Sequence, residues 1–268
     1  MSLQIIIVLV ANFIISFIGT LAYSVRLVGV KTGKIAISLS LFNILMLVSR
    51  IAVTFQVPLL ANYVEANPGS SNMLTIFNLI IIVSSVAAIC GAFSIPTFQK
   101  LLCKAVQSFS MDRSISKLII HSFCKSGVRY MKECISPPRK ENVTSITFKE
   151  LPVKIILLNL IAVAFLTVGS LAPIYACAIS PNDRATCITL SSVINGIATI
   201  FMSIFIDPKL SMMTDDFIEG KCNEPEFKAS IVGMVGSKVV GTVFALPLLV
   251  PCSYLIVFIA QITSWLFH

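Results

Sequence analysis

Six stretches of this chain stay apolar for about 20 residues at a time, and that continuity constrains the fold more than any other feature. A helix of about 20 residues crosses a hydrocarbon core of about 30 Å. Such spans fall near residues 3–24, 35–60, 73–95, 153–179, 186–206 and 229–250. Between them lie the charged "RLVGVKTGK", the turn-rich "EANPGSSN" and the polar "SPNDR". The runs are continuous rather than alternating, which argues against a β-barrel. Charged residues make up only 12% of the chain, half of the roughly 25% carried by soluble domains. The expected fold is therefore an all-α polytopic membrane protein with about six transmembrane helices. Residues 3–18 lack a basic leader region and an A-x-A cleavage site, so they read as a retained first span.

Lysine and arginine placement sets the expected orientation. Loop 25–34 carries Arg26, Lys31 and Lys34, and loop 61–72 carries none. The insert 96–152 carries ten, loop 180–185 only Arg184, and segment 207–228 three. This alternation places both termini outside and the insert in the cytoplasm. Residues 229–267 would make one helix of about 58 Å, so Pro247 and Pro251 are expected to break it. The remainder, 251–268, then lies at the outer interface with Trp265 as anchor, or forms a seventh span.

The two halves echo each other at an offset near 150: "GTLA" at 19–22 with "GSLA" at 169–172, "FQVPLL" at 55–60 with "FIDPKL" at 205–210, and "FSIP" at 93–96 with "FALP" at 244–247. Lys34 pairs with Arg184 and Asn43 with Asn195 in the same way. A repeat of three spans reverses its second copy in the membrane. The expectation is thus two inverted three-helix repeats, 1–96 and 153–250, separated by the insert 97–152. Inverted repeats support alternating access about a midplane site.

Several motifs fail on inspection. "GVKTGK" at 29–34 has three residues between its glycines and no Ser or Thr after its lysine, so it is a basic turn and not a nucleotide loop. The eight cysteines have neither C-x-x-C spacing nor a histidine partner, and no metal or other cofactor is expected. Cys177 and Cys187 flank an outer turn; they form a bridge if their Cα atoms lie within about 7 Å, and are otherwise two free thiols. In the insert, Arg113, Lys117, His121, Lys125 and Arg129 stand four apart and mark an amphipathic basic helix near 106–133. Arg113, Lys117, Lys125 and Arg129 suit anionic phospholipid headgroups. Segment 207–228 is acidic and reads as a solvated loop, or one docked on that basic helix.

Within the spans there is no Asp, Glu or His to serve as acid, base or metal ligand, so an intramembrane enzyme is disfavoured. The polar inventory is Asn12, Asn43, Arg50, Gln56, Asn78, Asn159, Asn195, Lys238 and Gln261. Amides there can serve as interhelical glue. A lipid-facing arginine costs at least about 2.5–3.5 kcal/mol, so Arg50 is expected to face inward onto a polar cavity. Asn43 and Gln56 are expected on its side. With no carboxylate at hand, the cations need another counter-charge, and an anionic substrate supplies one. The candidate substrate contacts are Arg50, Lys238, Arg26, Asn43, Gln56 and Asn195.

The stretch "GTLAYSVRLVGVKTGKIAISLSLFNILMLVSR" (19–50), with "TFQVPLL" after it and "IDPKLSMMTDDFIEGK" further on, resembles the bacterial alternate lipid II flippase family, Amj. The resemblance implies transport of undecaprenyl-pyrophosphate-linked peptidoglycan precursor across the cytoplasmic membrane, and so a part in cell wall biogenesis and cell shape. It implies no particular site residues. Neither nucleotide nor nucleic acid is expected as a partner. The other readings are a transporter or channel for a small anion, an enzyme acting on polyprenyl phosphates, and a structural membrane subunit.

Overall fold

The computed structural model describes residues 2–67, 72–112, 134–136 and 153–267. Among them there are only helices and turns: α1 (Leu3–Leu21), α2 (Ser24–Thr32), α3 (Ile35–Ala66), α4 (Met73–Asp112), α5 (Val153–Ile179), α6 (Arg184–Thr189), α7 (Ser191–Phe201), α8 (Asp207–Ile218) and α9 (Glu224–Phe267). Six helical runs are long and apolar enough to cross a membrane: α1, α3, α4, α5, the run Pro181–Ile218 and α9. The chain is a multi-pass membrane protein.

The fifth run is broken. It starts with a 3-10 turn at Pro181–Asp183, bends at Leu190, and passes through a π-helical turn at Met202–Ile206 before α8. Asp207 and Pro208 open α8, where proline's missing N–H costs no helical bond.

In each half the first span packs along the third: α1 along α4, and α5 along α9. Asn12 donates to the Ile80 carbonyl at 2.8 Å and to Ser84 Oγ. Asn159 donates to the Met234 carbonyl at 3.1 Å and to Ser237 Oγ at 2.7 Å. Glycine permits both approaches. A Cβ at Gly91 would lie 2.8 Å from Thr20 Cβ, and one at Gly241 would lie 2.7 Å from the Leu160 carbonyl. The second spans are peripheral: the apolar windows of α3 and of the fifth run are 17% and 6% buried, against 44% and 50% for α4 and α5. α4 also packs on α9 and joins the halves.

At the charge-poor end both halves share one core, built from Leu60, Val64, Phe77, Leu171, Ile174, Leu249 and Ile256. At the basic end the core divides. Val25, Val28, Leu41, Leu102 and Val106 serve the first half, and Ile155, Ile206, Leu210 and Met234 the second. A small cluster of Leu27, Phe227 and Ile231 bridges them.

Four expectations change. Pro247 and Pro251 do not end the last span: α9 runs through both, so residues 251–267 continue the sixth helix and are not a separate span. Proline is tolerated in membrane helices where packed neighbours support the backbone, and beside Pro251 the Ser253 hydroxyl ties α9 to α5 by donating to the Ala172 carbonyl at 3.1 Å. Trp265 is 82% exposed at its far end. The third span likewise passes Pro96 and continues to Asp112, into what reads as the insert. Residues 24–32 form α2, closed by Gly33 at φ 65°, a conformation glycine adopts without strain. Asp207, Asp215 and Asp216 lie on helix α8, with Leu210 and Thr214 buried, and Glu224 and Glu226 open α9, so the acidic segment is mostly helix and not a loop. Arg113, Lys117, His121, Lys125 and Arg129 lie outside the described residues.

Candidate functional site

The candidate residues separate into three places. Arg50 and Asn43 are both exposed on α3. Arg50 is thus not enclosed, because α3 is a peripheral helix with only one flank against the bundle. Gln56 does not share its face: a step of six residues turns a helix by about 240°. Gln56 is 6% exposed and donates to Asn12 Oδ1 at 3.3 Å, inside the network that ties α1 to α4.

The second place is a cleft between α3 and α7, floored by α5. Val53 and Val57 form one wall, Ser170, Pro173 and Ile174 the floor, and Ile188, Ser191 and Asn195 the other wall. Its volume is about 50 Å³, against about 300–1,000 Å³ for a site enclosing a small organic ligand. A Cβ at Gly169 would lie 2.7 Å from Asn195 Oδ1, so the absence of a side chain there seats the amide. Arg50 precedes Val53 by three residues and Val57 by seven, which puts it on the same flank of α3. It therefore stands where the cleft runs on toward the basic end. Asn195 lines the cleft, Arg50 stands one turn before its Val53 wall, and Gln56 lies outside it.

The third place is the seam between the halves. Lys238 on α9 is half-buried, and its ammonium sits 5.8 Å from the centre of the Tyr23 ring, within range of a cation–π contact. It also rests on Gly19, where a Cβ would lie 2.5 Å from Nζ. The Tyr23 hydroxyl donates to Asn159 Oδ1 at 3.0 Å. One turn on, Arg26 donates to Ser211 Oγ of α8 at 3.2 Å. Burial pulls the Arg26 guanidinium pKa down, and the Asp207 and Asp215 carboxylates push it back up. Arg26 is thus held by α8 at the basic end, while Lys238 has no carboxylate beside it among the described residues. Lys238 lies ten residues into the apolar stretch that follows Lys228, at a depth of about 15 Å, close to a bilayer midplane.

The sequence alone does not single out Tyr23, and Asn159 reads there as interhelical glue. Tyr23 carries one faint signal, its place three residues before Arg26. An anion entering the seam would meet Lys238, and one in the cleft would meet the Asn195 amide with Arg50 one turn away. Charge-assisted bonds of this kind contribute about 1.5–3 kcal/mol each. Among the described residues no three His, Cys, Asp or Glu side chains converge as a metal site.

Residues 11–260 match the family described as "Amj: Alternate to MurJ". The chain belongs to the Amj family. It is 32% identical over 257 residues to a protein of Bacillus subtilis (strain 168) named "Lipid II flippase Amj", and the alignment covers 94% of each chain. No solved structure matches it. Membership of the Amj family includes the cleft and the seam within one matched stretch, since Gly19 to Lys238 falls inside residues 11–260.

Proposed function

We propose that this chain is a lipid II flippase, moving the undecaprenyl-pyrophosphate-linked peptidoglycan precursor from the inner to the outer leaflet of the bacterial cytoplasmic membrane. The observation that carries the reading is kinship along nearly the full length of a protein with that name. The geometry suits the task. A core that is shared at the charge-poor end and divided at the basic end favours access from one side. On the charge-bias orientation, with both termini outside, that side is the cytoplasm, where the precursor is found. The twin asparagine clamps and the shared offset support two inverted repeats, each a rigid first-and-third helix pair with a looser second helix.

In this reading the pyrophosphate exchanges part of its hydration for Arg50, Lys238 and Arg26, with Asn43 and Asn195 beside the cleft and Gln56 holding the wall. Arg113, Lys117, Lys125 and Arg129 contact the precursor's diphosphate or anionic phospholipid at the inner surface. The cleft is too small for a sugar headgroup as it stands, so α3 and α7 must separate during transport. No covalent bond is made or broken, and the chain is not an enzyme in this account.

The test is reconstitution into vesicles with labelled lipid II, reading outer-leaflet exposure, with an impermeant label on each terminus fixing orientation. The parent chain should expose lipid II. Arg50→Gln should slow exposure at least tenfold. Arg50→Lys should fall between, because it keeps the charge and loses the bidentate fork. Parent-rate exposure in both variants would remove Arg50 from the substrate path. The small cleft also fits a second reading, a small-anion transporter. Phosphate or chloride flux from the same vesicles, without lipid II exposure, would decide for it.

A further inference from the structure

Loop cations on the outer side are few in this chain, and Arg184 is the one that loop 180–185 carries. A cation in a short outer loop works against the charge bias that orients the protein. Its surroundings are also unusual. The Arg184 Nε is fully buried and has no hydrogen-bond partner. A buried donor left unpaired costs about 1–3 kcal/mol. The carboxylates nearby do not satisfy it. Asp183 accepts from Ser180 Oγ at 2.9 Å. Glu65, at the end of α3, lies close enough to act electrostatically on Cys177, beside Arg184, but forms no ion pair with the arginine.

Position gives the orphan donor a use. Arg184 and Ile188 stand one turn apart on α6, and Ser191 and Asn195 one turn apart on α7. The last three line the α3–α7 cleft. Arg184 stands one turn beyond Ile188 toward the charge-poor end, and Arg50 one turn before Val53 toward the basic end. The cleft thus has an arginine near each end.

We propose that Arg184 is a second diphosphate-binding residue, which receives the lipid-linked substrate at the outer-leaflet end of the α3–α7 cleft. This rests on the flippase reading for the identity of the lipid, and on the cleft alone for the anion chemistry. Transfer from Arg50 toward Arg184 gives the diphosphate a guanidinium at departure and another at arrival. The fork of Arg184 suits paired phosphate oxygens.

The test is binding of farnesyl diphosphate to the purified full chain in detergent, with inorganic diphosphate and farnesol as separate arms. Lipid II exposure in vesicles is measured in parallel. Farnesyl diphosphate should bind at least tenfold more weakly to Arg184→Gln than to the parent. Arg184→Lys, which keeps the charge if the glutamine variant folds poorly, should be intermediate. Glu65→Gln should bind as well as the parent or better. Parent-like binding by both arginine variants overturns the proposal and leaves the flippase reading intact if their vesicles still expose lipid II. Equal weakening by Glu65→Gln makes Arg184 an ion-pair partner of α3 and overturns it too. Inorganic diphosphate or farnesol binding as tightly as farnesyl diphosphate overturns the lipid-diphosphate assignment. Arg184-dependent binding in a chain that never exposes lipid II upholds this site and removes the flippase reading instead.

Discussion

A methyl group at Gly241 has nowhere to go. Its nearest atom would be the Leu160 backbone carbonyl, which cannot rotate away, and at Gly91 it would be Thr20 Cβ. Alanine in a helix gains about 1 kcal/mol over glycine, but overpacking of this kind costs about 1–3 kcal/mol. Gly241→Ala should therefore lower stability in detergent by up to about 2 kcal/mol, read as a fall in thermal midpoint, and Gly91→Ala by a similar amount. Gly19→Ala is the informative contrast. Only the mobile Lys238 ammonium opposes it, so stability should hold or rise while lipid II exposure falls. A destabilised Gly19→Ala with normal transport per folded molecule would mean that the ammonium has no part in transport. Sequence alone reaches these residues unevenly. Gly19 and Gly169 stand out through the repeat, but what rests on them does not. Gln56 is misplaced by the sequence because a six-residue step from Arg50 turns the helix by about 240°, away from the face that Asn43 shares. Arg184 is inconspicuous as a loop cation and gains meaning only once its Nε is seen to be buried.

Among the elements, the spans are legible because water-soluble folds seldom keep a chain apolar for about 20 residues. Their ends are not. Proline predicts a break, because its ring clashes with the preceding turn and it removes a helical hydrogen bond, yet α4 and α9 carry Pro96, Pro247 and Pro251 without ending. The division of the fifth run into α6, α7, a π-helical turn and α8 has no clear mark in its composition beyond Pro181 and Pro208. The junction of α5 and α6 offers a test of this local geometry. Cys177 and Cys187 are free, buried at 3% and 0% exposure, and near enough to act on each other electrostatically. Alkylation of the unfolded chain should label both as purified. After copper phenanthroline oxidation of the folded protein, neither should be labelled unless reductant is added. Full labelling of both thiols after oxidation would place α6 elsewhere.

At the scale of the whole molecule, the number of spans and the all-helical class follow from the sequence, while the division of the core at the basic end does not. That division depends on which apolar faces meet, and apolar spans with a small shared alphabet leave many pairings open. One dimension of the assembled bundle reaches beyond the protein. α9 has 44 residues, about 66 Å of helix, more than twice the hydrocarbon it crosses. Tyr254, Leu255, Phe258 and Trp265, toward its far end, are each more than half exposed. A chain with such an overlong helix is a gauge of bilayer thickness. Thin membranes strand these side chains in water, and thick ones shelter them, each ångström of mismatch costing a fraction of a kcal/mol. In phosphatidylcholine vesicles whose monounsaturated acyl chains lengthen from 14 to 22 carbons, the thermal midpoint should climb steadily. Cutting the chain after Pro251 should flatten that climb. The thickness of the host membrane would then set how firmly the sixth helix is seated.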